Sequence, residues 1–211
     1  MIPRSKDVKT ISQTMAKQLT TLLIALCLAL SATAQNPVTD RDAVLARIEA
    51  SLAPQHGKAI HYTFTQTKHS PLLLHDLVSH GDVTLNGQTY MRWHYSDPRN
   101  YAVVVDGDSI FAETEGKRHA LAGPAGSIMR SMTGTIMALT AKGALASEKL
   151  FAVELTEDAT SYHAVLTPKR RDMRRMMQQL SATFDKKDCR LRSAKLTEQH
   201  DSYTIIEFRD R

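Results

Sequence analysis

A chain of 211 residues is long enough for one domain with a sizeable hydrophobic core. Four of its 27 basic residues and one of its 22 acidic residues lie within residues 1–34, so residues 35–211 carry 23 basic and 21 acidic side chains. A balance this even argues against a nucleic-acid-binding protein, although the formal net charge of the whole chain is +5.

Residues 1–34 have the features of a signal peptide preceded by a polar N-terminal extension. Lys17 supplies the positive charge, residues 19–30 supply the apolar run, and Ala32, Thr33 and Ala34 form a cleavage site. The apolar run is too short to span a bilayer as a helix. We therefore expect export across a membrane, with cleavage after Ala34 and a mature domain of residues 35–211.

The chain has two cysteines, and the signal peptide contains the first of them. Cys27 would suit lipid attachment if a small residue preceded it, but Leu26 stands there. We expect Cys27 to leave with the signal peptide, and a lipid-anchored protein is the alternative. Cys189 is then the only cysteine of the mature domain, which predicts that it has no internal disulfide.

The first predicted element of the mature domain is an amphipathic helix that ends near Leu52. Thr39 or Asp40 can cap its first turn, because either side chain can accept a hydrogen bond from a free backbone N–H. An apolar stripe follows at helical spacing and consists of Val44, Leu45, Ile48 and Leu52. Such a stripe fits a helix packed on a filled core and a helix that covers a cavity equally well.

Strand-like runs follow at residues 60–65 and 72–78 and lead into a hairpin at residues 81–98. Asn86 and Gly87 predict a two-residue type I′ turn in this hairpin, because that turn needs positive φ at both central residues. In the second arm, one face carries Thr89, Met91, Trp93 and Tyr95, and the other carries Tyr90, Arg92 and His94. The first face holds the only tryptophan of the chain.

Further short runs with tight turns between them predict that the antiparallel meander continues. They cover residues 101–105, 109–113, 118–121, 150–156, 162–167, 180–184, 191–196 and 203–208. Residues 125–141 interrupt the meander, because their apolar period is that of a helix. The apolar side chains of this predicted helix are Ile128, Met129, Met132, Ile136 and Met137.

These elements predict a mainly β protein of the α+β class, with one curved antiparallel sheet of about ten strands. An open sheet of that size must curl, and its concave face must be covered by apolar side chains. The two predicted helices, at the start and in the middle of the mature domain, are available as that cover. Periodicity alone leaves open whether the space beneath them is a filled core or a cavity.

No constellation of residues for catalysis or metal binding emerges from the sequence. His69, His75 and His80 lie close together, but their spacings of six and five residues match neither a helical zinc pair nor a short-loop zinc site. We expect them to face solvent. The sequence also lacks a nucleophile-elbow motif, a phosphate-binding glycine loop and a dinucleotide fingerprint. The prediction is therefore a protein without catalytic activity, metal or other cofactor.

The densest basic run of the mature domain comprises Lys169, Arg170, Arg171, Arg174 and Arg175. Charged clusters usually form a solvated surface, but this one also suits the docking of an acidic protein or of anionic lipid head groups. Both interpretations stay open. Methionines interleave with the arginines at positions 173, 176 and 177, a spacing typical of a short amphipathic helical turn.

Six motifs follow one another in a recognisable order. They are Phe64-Thr65-Gln66 with Lys68, Gly81-Asp82, Arg92-Trp93-His94-Tyr95 with Pro98, Asp106-Gly107, Leu166-Thr167-Pro168-Lys169 and Thr204-Ile205-Ile206-Glu207-Phe208. In this order they resemble the periplasmic lipoprotein carriers of the LolA type. The resemblance covers about residues 40–209.

The resemblance implies an incomplete antiparallel barrel around a hydrophobic cavity that helices cover. The cavity would hold the acyl chains of a lipoprotein, or of a related lipid, during transfer through the periplasm toward the outer membrane. The implied cavity residues of this chain are Phe64, Met91, Trp93, Tyr95, Ile128, Met129, Met132, Ile136 and Met137. Methionine suits such a lid, because its flexible side chain repacks around cargo of irregular shape.

The partners that the resemblance implies are a releasing complex in the inner membrane and an acceptor at the outer membrane. The expected form is a monomer, with the basic run as the candidate docking site. Many carriers of this type have a basic residue and a proline in the first hairpin turn, where this chain has Asn86 and Gly87. The kind of cargo therefore stays open. The alternative function is a regulatory module of the same fold that senses lipoproteins in envelope stress signalling.

Overall fold

The computed structural model of this chain describes residues 35–52, 59–87, 89–121 and 151–210. Two helices and twelve strands lie within these ranges. The helices are α1 (Arg41–Leu52) and α2 (Arg171–Met176). The strands are β1 (Asn36–Pro37), β2 (Ile60–His69), β3 (Leu77–Asn86), β4 (Tyr90–Asp97), β5 (Tyr101–Asp106), β6 (Ser109–Thr114), β7 (Lys117–Ala120), β8 (Phe151–Glu157), β9 (Ser161–Pro168), β10 (Gln179–Asp185), β11 (Leu191–Thr197) and β12 (Tyr203–Asp210).

All twelve strands belong to one sheet, and every pair of neighbours is antiparallel. The spatial order is β1-β8-β9-β10-β11-β12-β2-β3-β4-β5-β6-β7. Two meanders, β2–β7 and β8–β12, therefore lie side by side, and they join where Phe208 of β12 lies opposite Phe64 of β2. Because β1 and β7 end the order, the sheet is not closed within the described part of the chain.

The predicted mainly β architecture with one antiparallel sheet is confirmed, but the strand number is twelve rather than about ten. One reason is β1, which has two residues and is too short for any alternation to be recognised in the sequence. The predicted signal peptide at residues 1–34 and the predicted helix at residues 125–141 lie outside the described residues. The helical cover of the sheet that was expected from residues 125–141 therefore stays a prediction.

The strand predicted at residues 72–78 is wrong for most of its length. β2 ends at His69 and β3 begins only at Leu77. Between them the chain turns, and the N–H of Leu73 donates a hydrogen bond of 2.9 Å to the carbonyl oxygen of Ser70. Lys68 lies opposite Leu77 in the ladder, so the intervening residues connect the two strands and lie in neither.

The hairpin predicted at residues 81–98 is confirmed, but its turn differs from the expected one. β3 extends to Asn86, which pairs with Tyr90, so the turn covers residues 87–89. Gly87 adopts a left-handed backbone with φ of 66°. The N–H of Gly107 donates to the carbonyl oxygen of Thr89 at 2.9 Å, which ties this turn to the next one. The expected two-residue type I′ turn at Asn86 and Gly87 is therefore wrong, because Asn86 is paired within β3.

Alternation along neighbouring strands places most of the buried apolar side chains on one face of the sheet, which we call the core face. Trp93 lies opposite Val83 on one side and Val103 on the other, and all three are buried. The same core continues across the second meander with Phe151, Leu155, Tyr162, Ala164, Leu166, Leu180, Ala182, Phe184, Leu191, Ala194, Ile206 and Phe208.

Helix α1 begins with the predicted cap and covers part of the core face. The N–H of Ala43 donates to Oδ1 of Asp40 at 3.0 Å, which satisfies one of the free donors of the first turn. Val44, Leu45 and Ile48 are buried in the same core cluster as the sheet residues. These three side chains of the predicted stripe therefore pack on core side chains.

Helix α2 is the short helical turn expected among the interleaved arginines and methionines. Met173 is half-buried and packs against the core, and Met177, which follows the helix, is buried. The arginines of this segment are exposed. Neither described helix has the length and apolar character that a membrane crossing requires.

Candidate functional site

The core face carries an aromatic cluster that consists of Phe64, Trp93, Tyr95, Tyr101 and Phe208. The ring centroid of Phe64 lies 4.7 Å from that of Trp93 and 5.3 Å from that of Tyr95. Phe208 meets Trp93 edge to face at 6.0 Å, and Tyr101 stacks on Tyr95 at 4.7 Å. Strands β2, β4, β5 and β12 each contribute, so the cluster forms only when both meanders pair.

A glycine makes room for this cluster. Gly81 of β3 lies between Phe64 and Tyr95 and pairs with both. A Cβ atom at position 81 would lie 2.8 Å from two ring atoms of Phe64 and closer still to the carbonyl oxygen of His94. The ring of Phe64 therefore lies across a strand position without a side chain and reaches the rings of β4.

The aromatic cluster is covered in this conformation. Met91, which lies on the same face of β4, is 0% exposed, and Phe64 and Trp93 are each 3% exposed. Tyr95 is half-buried. Any external ligand could contact these buried side chains only after it displaced the groups that now cover them.

Tyr95 forms a polar border of the aromatic cluster. Its hydroxyl donates to Oε1 of Gln66 at 3.0 Å. Burial raises the pKa of Tyr95 to about 12, and the neighbouring Tyr101 adds to this shift, so the hydroxyl stays a neutral donor at physiological pH. Two positions further along β2, Nζ of Lys68 pairs with Oε2 of Glu198 at 2.8 Å. The apolar face therefore gives way to polar groups in this direction.

Charged groups form a second border near the opposite end of β2. Asp210 binds Arg190 and Arg192, each at 2.8 Å, and Arg192 also binds Asp188 at 2.6 Å. The nearby hydroxyl of Tyr62 is buried without a hydrogen-bond partner among the described residues. Burial, with a further contribution from Asp210, raises the pKa of Tyr62 to about 12. The aromatic cluster thus lies between two polar borders.

Helix α1 is fixed at this second border by polar contacts. Arg47 donates to the hydroxyl of Tyr162 at 3.2 Å and to the carbonyl oxygen of Lys186 at 3.0 Å. The hydroxyl of Ser51 donates to the carbonyl oxygen of Cys189 at 2.7 Å. Cys189 is a buried free cysteine, and burial raises the pKa of its thiol. These contacts hold α1 over the turn between β10 and β11.

The structure brings together four of the predicted cavity residues, Phe64, Met91, Trp93 and Tyr95, on one face. The remaining five predicted cavity residues, Ile128, Met129, Met132, Ile136 and Met137, lie outside the described residues. Sequence analysis missed Tyr101 and Phe208 as members of the cluster. Alternation placed each in a strand, but their nearness to Trp93 depends on strand pairings that the sequence does not reveal.

The basic run predicted as a docking site lies in α2 and just before it. All five side chains are exposed: Lys169, Arg170, Arg171, Arg174 and Arg175. Arg170 pairs with Asp172 at 2.6 Å, and Arg174 donates to the carbonyl oxygens of Lys169 and Pro168 at 2.7 and 3.3 Å. Arg175 lines a polar pocket of about 270 Å³ together with Lys68, Ser70, Glu198, Gln199 and Ser202. The exposure of this run suits both a solvated surface and a docking site.

Three histidines of the described structure, His69, His94 and His163, each pair with an aspartate. Nδ1 of His69 lies 2.7 Å from Asp76, and the rings of His69 and Tyr203 stack at 4.8 Å. His75 and His80 are exposed, as expected. Among the residues that the structure describes, no group of three His, Cys, Asp or Glu side chains could hold a metal ion.

One series of side chains has the order of a catalytic triad. Nε2 of His163 lies 2.8 Å from Asp158, and its Nδ1 lies 3.4 Å from Oγ1 of Thr183. His163 and Thr183 are direct partners in the ladder of β9 and β10. Their contact is therefore an ordinary cross-strand pair, and the long hydroxyl distance does not activate a nucleophile.

A comparison with protein families shows which family the chain belongs to. The model of the family described as outer membrane lipoprotein carrier protein LolA matches residues 55–211. The chain belongs to the LolA family. The match contains all strands from β2 to β12 and thus the whole aromatic cluster. No curated protein sequence matches the chain significantly.

Solved structures similar to this LolA-family protein have low sequence identity. LolA superfamily protein NE2245 from Nitrosomonas europaea is 9% identical, with a TM-score of 0.42, and the match covers 82% of this chain and 93% of that one. Lipoprotein LppX from Mycobacterium tuberculosis is 17% identical, with a TM-score of 0.39 and coverage of 81% and 95%. In the MucA/MucB complex of Pseudomonas aeruginosa, the matched chain is 10% identical, with a TM-score of 0.41 and coverage of 79% and 54%.

Proposed function

We propose that this LolA-family protein is a periplasmic carrier that shelters the acyl chains of lipoproteins, or of a related lipid, during transfer toward the outer membrane. The observation that carries the proposal is the aromatic cluster, in which five rings from four strands form one apolar face between two polar borders. Each methylene group of an acyl chain that leaves water contributes about 0.8 kcal/mol. When an acyl chain replaces the groups that cover this apolar face, the protein can carry it without a chemical step.

Binding of cargo requires the covered face to open. The proposed lid is the helix of residues 125–141, whose Ile128, Met129, Met132, Ile136 and Met137 face Met91, Trp93 and Tyr95. Support comes from the helical period of the first set and the strand period of the second. Methionines in the proposed lid and in the sheet allow these two surfaces to repack when cargo displaces the lid from the sheet.

The proposed route begins with export, cleavage after Ala34 and release into the periplasm as a monomer. An inner-membrane complex loads the carrier, and an acceptor at the outer membrane binds the acyl chains more tightly and removes them. The exposed basic run of residues 169–175 is the proposed docking site in these encounters, on a partner or on the anionic lipid head groups around it. Its local charge supports this role, because four arginines and one lysine accompany a single aspartate.

Native mass spectrometry of the protein recovered from the periplasm of its own host tests the proposal. We expect a mass increment that solvent extraction assigns to an acyl-bearing molecule. The same chain refolded from denaturant without lipid is the control, and it should lack the increment. A preparation without any acyl-bearing ligand would contradict carriage. Recovery in a stable complex with a membrane signalling protein, and without lipid, would favour the regulatory alternative.

A further inference from the structure

The turn between β2 and β3 exposes large apolar side chains. Leu72 and Leu74 are each 95% exposed, and Leu77 and Val78 follow with 54% and 45%. We call residues 71–78 the leucine tip. Exposed apolar side chains that are contiguous mark a site of interaction, because contact with water is unfavourable for them.

The leucine tip is held at its base and extends beyond the sheet. The last ladder pair of β2 and β3 joins Lys68 to Leu77, so Leu72 and Leu74 lie beyond the paired strands. At the base, the hydroxyl of Ser202 donates to the hydroxyl of Ser70 at 3.2 Å. The tip is therefore a projecting structure, and its two most exposed leucines are directed away from the core.

Basic side chains flank the base of the leucine tip. Ser70 and Arg175 line the same polar pocket, and Nε2 of Gln199 in that pocket donates to the carbonyl oxygen of Arg174 at 2.8 Å. The turn between β11 and β12 thus connects α2 to the base of the tip. Arg171, Arg174 and Arg175 are exposed, and none of them pairs with a carboxylate within the described residues. These cations are available to an external anion.

We propose that the leucine tip and the arginines of α2 form a docking surface for a lipid bilayer with anionic head groups. A projecting tip inserts readily into the soft acyl region of a bilayer, whereas a protein partner would need a cleft of matching shape. Cations beside an inserted apolar segment lie at the level of the head groups, where anionic phosphates attract them. This inference rests on the proposed carrier function, because a carrier must approach a membrane to exchange its cargo.

Cosedimentation with protein-free vesicles tests the docking surface, with the protein purified in the form that its host accumulates. One set of vesicles contains phosphatidylethanolamine and phosphatidylglycerol, and the other contains phosphatidylcholine alone. We expect binding to the anionic set, weaker binding at high salt, and little binding to the neutral set. The double variant Leu72→Ser/Leu74→Ser should bind about tenfold or more weakly, because two leucines no longer enter the bilayer.

Two further variants separate charge at the docking surface from general charge. Arg171→Gln/Arg175→Gln should lose most of the preference for anionic vesicles. The control Lys117→Gln/Lys187→Gln removes the same charge from exposed positions in β7 and in the turn after β10, and it should bind like the wild type. All variants should keep the affinity of the wild type for a fluorescent fatty acid, so a failure of cargo binding is seen separately from a failure of docking.

Two results would overturn the inference. One is a wild-type protein that stays in the supernatant with anionic vesicles, or a leucine double variant that binds as tightly as the wild type. The other is binding to vesicles rebuilt from whole membranes with their proteins but not to protein-free vesicles of the same lipids. That second result would assign the leucine tip to a membrane protein.

Discussion

Gly81 is the residue on which the geometry of the aromatic cluster depends most directly. Phe64 lies opposite it, and the carbonyl oxygen of His94 lies where a Cβ atom would be. A side chain at this position would push apart β2 and β4 at the point where their rings meet. The close approach of Phe64 and of the His94 carbonyl therefore explains the glycine of the Gly81-Asp82 motif, which the sequence pattern alone did not explain.

The substitution Gly81→Ala should lower the free energy of unfolding by about 3 kcal/mol or more, because a backbone carbonyl cannot move aside as a side chain can. Urea denaturation measures this loss. Gly87→Ala is the matched control, since its Cβ atom would meet open space and only the left-handed backbone is unfavourable, by about 1 kcal/mol. A smaller loss for Gly81→Ala than for Gly87→Ala would contradict the described packing of Phe64.

Asp158 should contribute stability that depends on pH. Hydrogen bonds from His163 and from the backbone N–H groups of Thr160 and Ser161 hold the pKa of Asp158 well below its ordinary value. A depressed pKa means that this stabilisation is complete above the pKa of an aspartate in the unfolded chain, about 3.9. It is lost as the pH falls through the lower pKa of the folded protein.

The variant Asp158→Asn should therefore be less stable than the wild type at pH 7. The difference should shrink below about pH 4, because there the carboxylate of the unfolded wild-type chain takes up a proton while that of the folded protein stays charged. Urea denaturation at a series of pH values measures this. Asp42→Asn, at an exposed position of α1, controls for the general loss of a carboxylate. If the difference in the free energy of unfolding between Asp158→Asn and the wild type stays constant down to pH 2, the charge of the carboxylate does not stabilise the folded protein.

At the scale of elements, the sequence predicts those features that depend on local periodicity. The cap at Asp40, the buried stripe of α1 and the face shared by Met91 and Trp93 all follow from spacing within a single element. The strand expected at residues 72–78 failed because a run of consecutive leucines has no alternation, so composition alone suggested a strand there. The structure uses those leucines in an exposed turn.

Pairing between distant strands could not be predicted. β12 lies beside β2, and this brings Phe208 into contact with Trp93 at 6.0 Å. Period-2 alternation specifies which side chains share a face, but it contains no information on which strand is the neighbour. The aromatic cluster was therefore predicted only as far as its members in β2 and β4.

Helix α1 offers a test of packing at this scale. Ile48 is 0% exposed within the core cluster, so Ile48→Ala should lower the free energy of unfolding by about 2–5 kcal/mol. The control Asp42→Ala, at an exposed position of the same helix, should change it by no more than about 0.5 kcal/mol. Thermal or urea denaturation distinguishes the two. A loss below that of the control would show that α1 does not pack tightly on the sheet.

For the whole molecule, we propose that an acyl chain replaces the groups that now cover the aromatic cluster. In the described structure the cluster is covered, and Met91 and Trp93 are buried. Polar borders at Gln66 and at Asp210 limit the apolar face at each end. When cargo replaces the cover, the apolar area that the cluster buries stays the same. Loading therefore needs no source of energy other than the affinity of the cargo.

The proposed lid has its own test at this scale. If Met132 faces a space that opens for cargo, Met132→Ala should weaken binding of an apolar fluorescent probe and cost little stability. If Met132 instead belongs to a filled core, the same change should lower the free energy of unfolding by about 2–5 kcal/mol. Denaturation and probe binding on one preparation distinguish these outcomes. Full destabilisation, with no probe binding to the wild type, would exclude the lid.

Quenching of Trp93 by a brominated fatty acid is the most direct test of whether an acyl chain reaches the aromatic cluster. Trp93 is the only tryptophan of the chain, so its emission reports on the aromatic cluster alone. Bromine atoms on an acyl chain quench an indole only at close contact. We expect a saturable loss of Trp93 emission during titration, reversed by an excess of the unbrominated fatty acid. Bound fatty acid that leaves the Trp93 emission unchanged would contradict it.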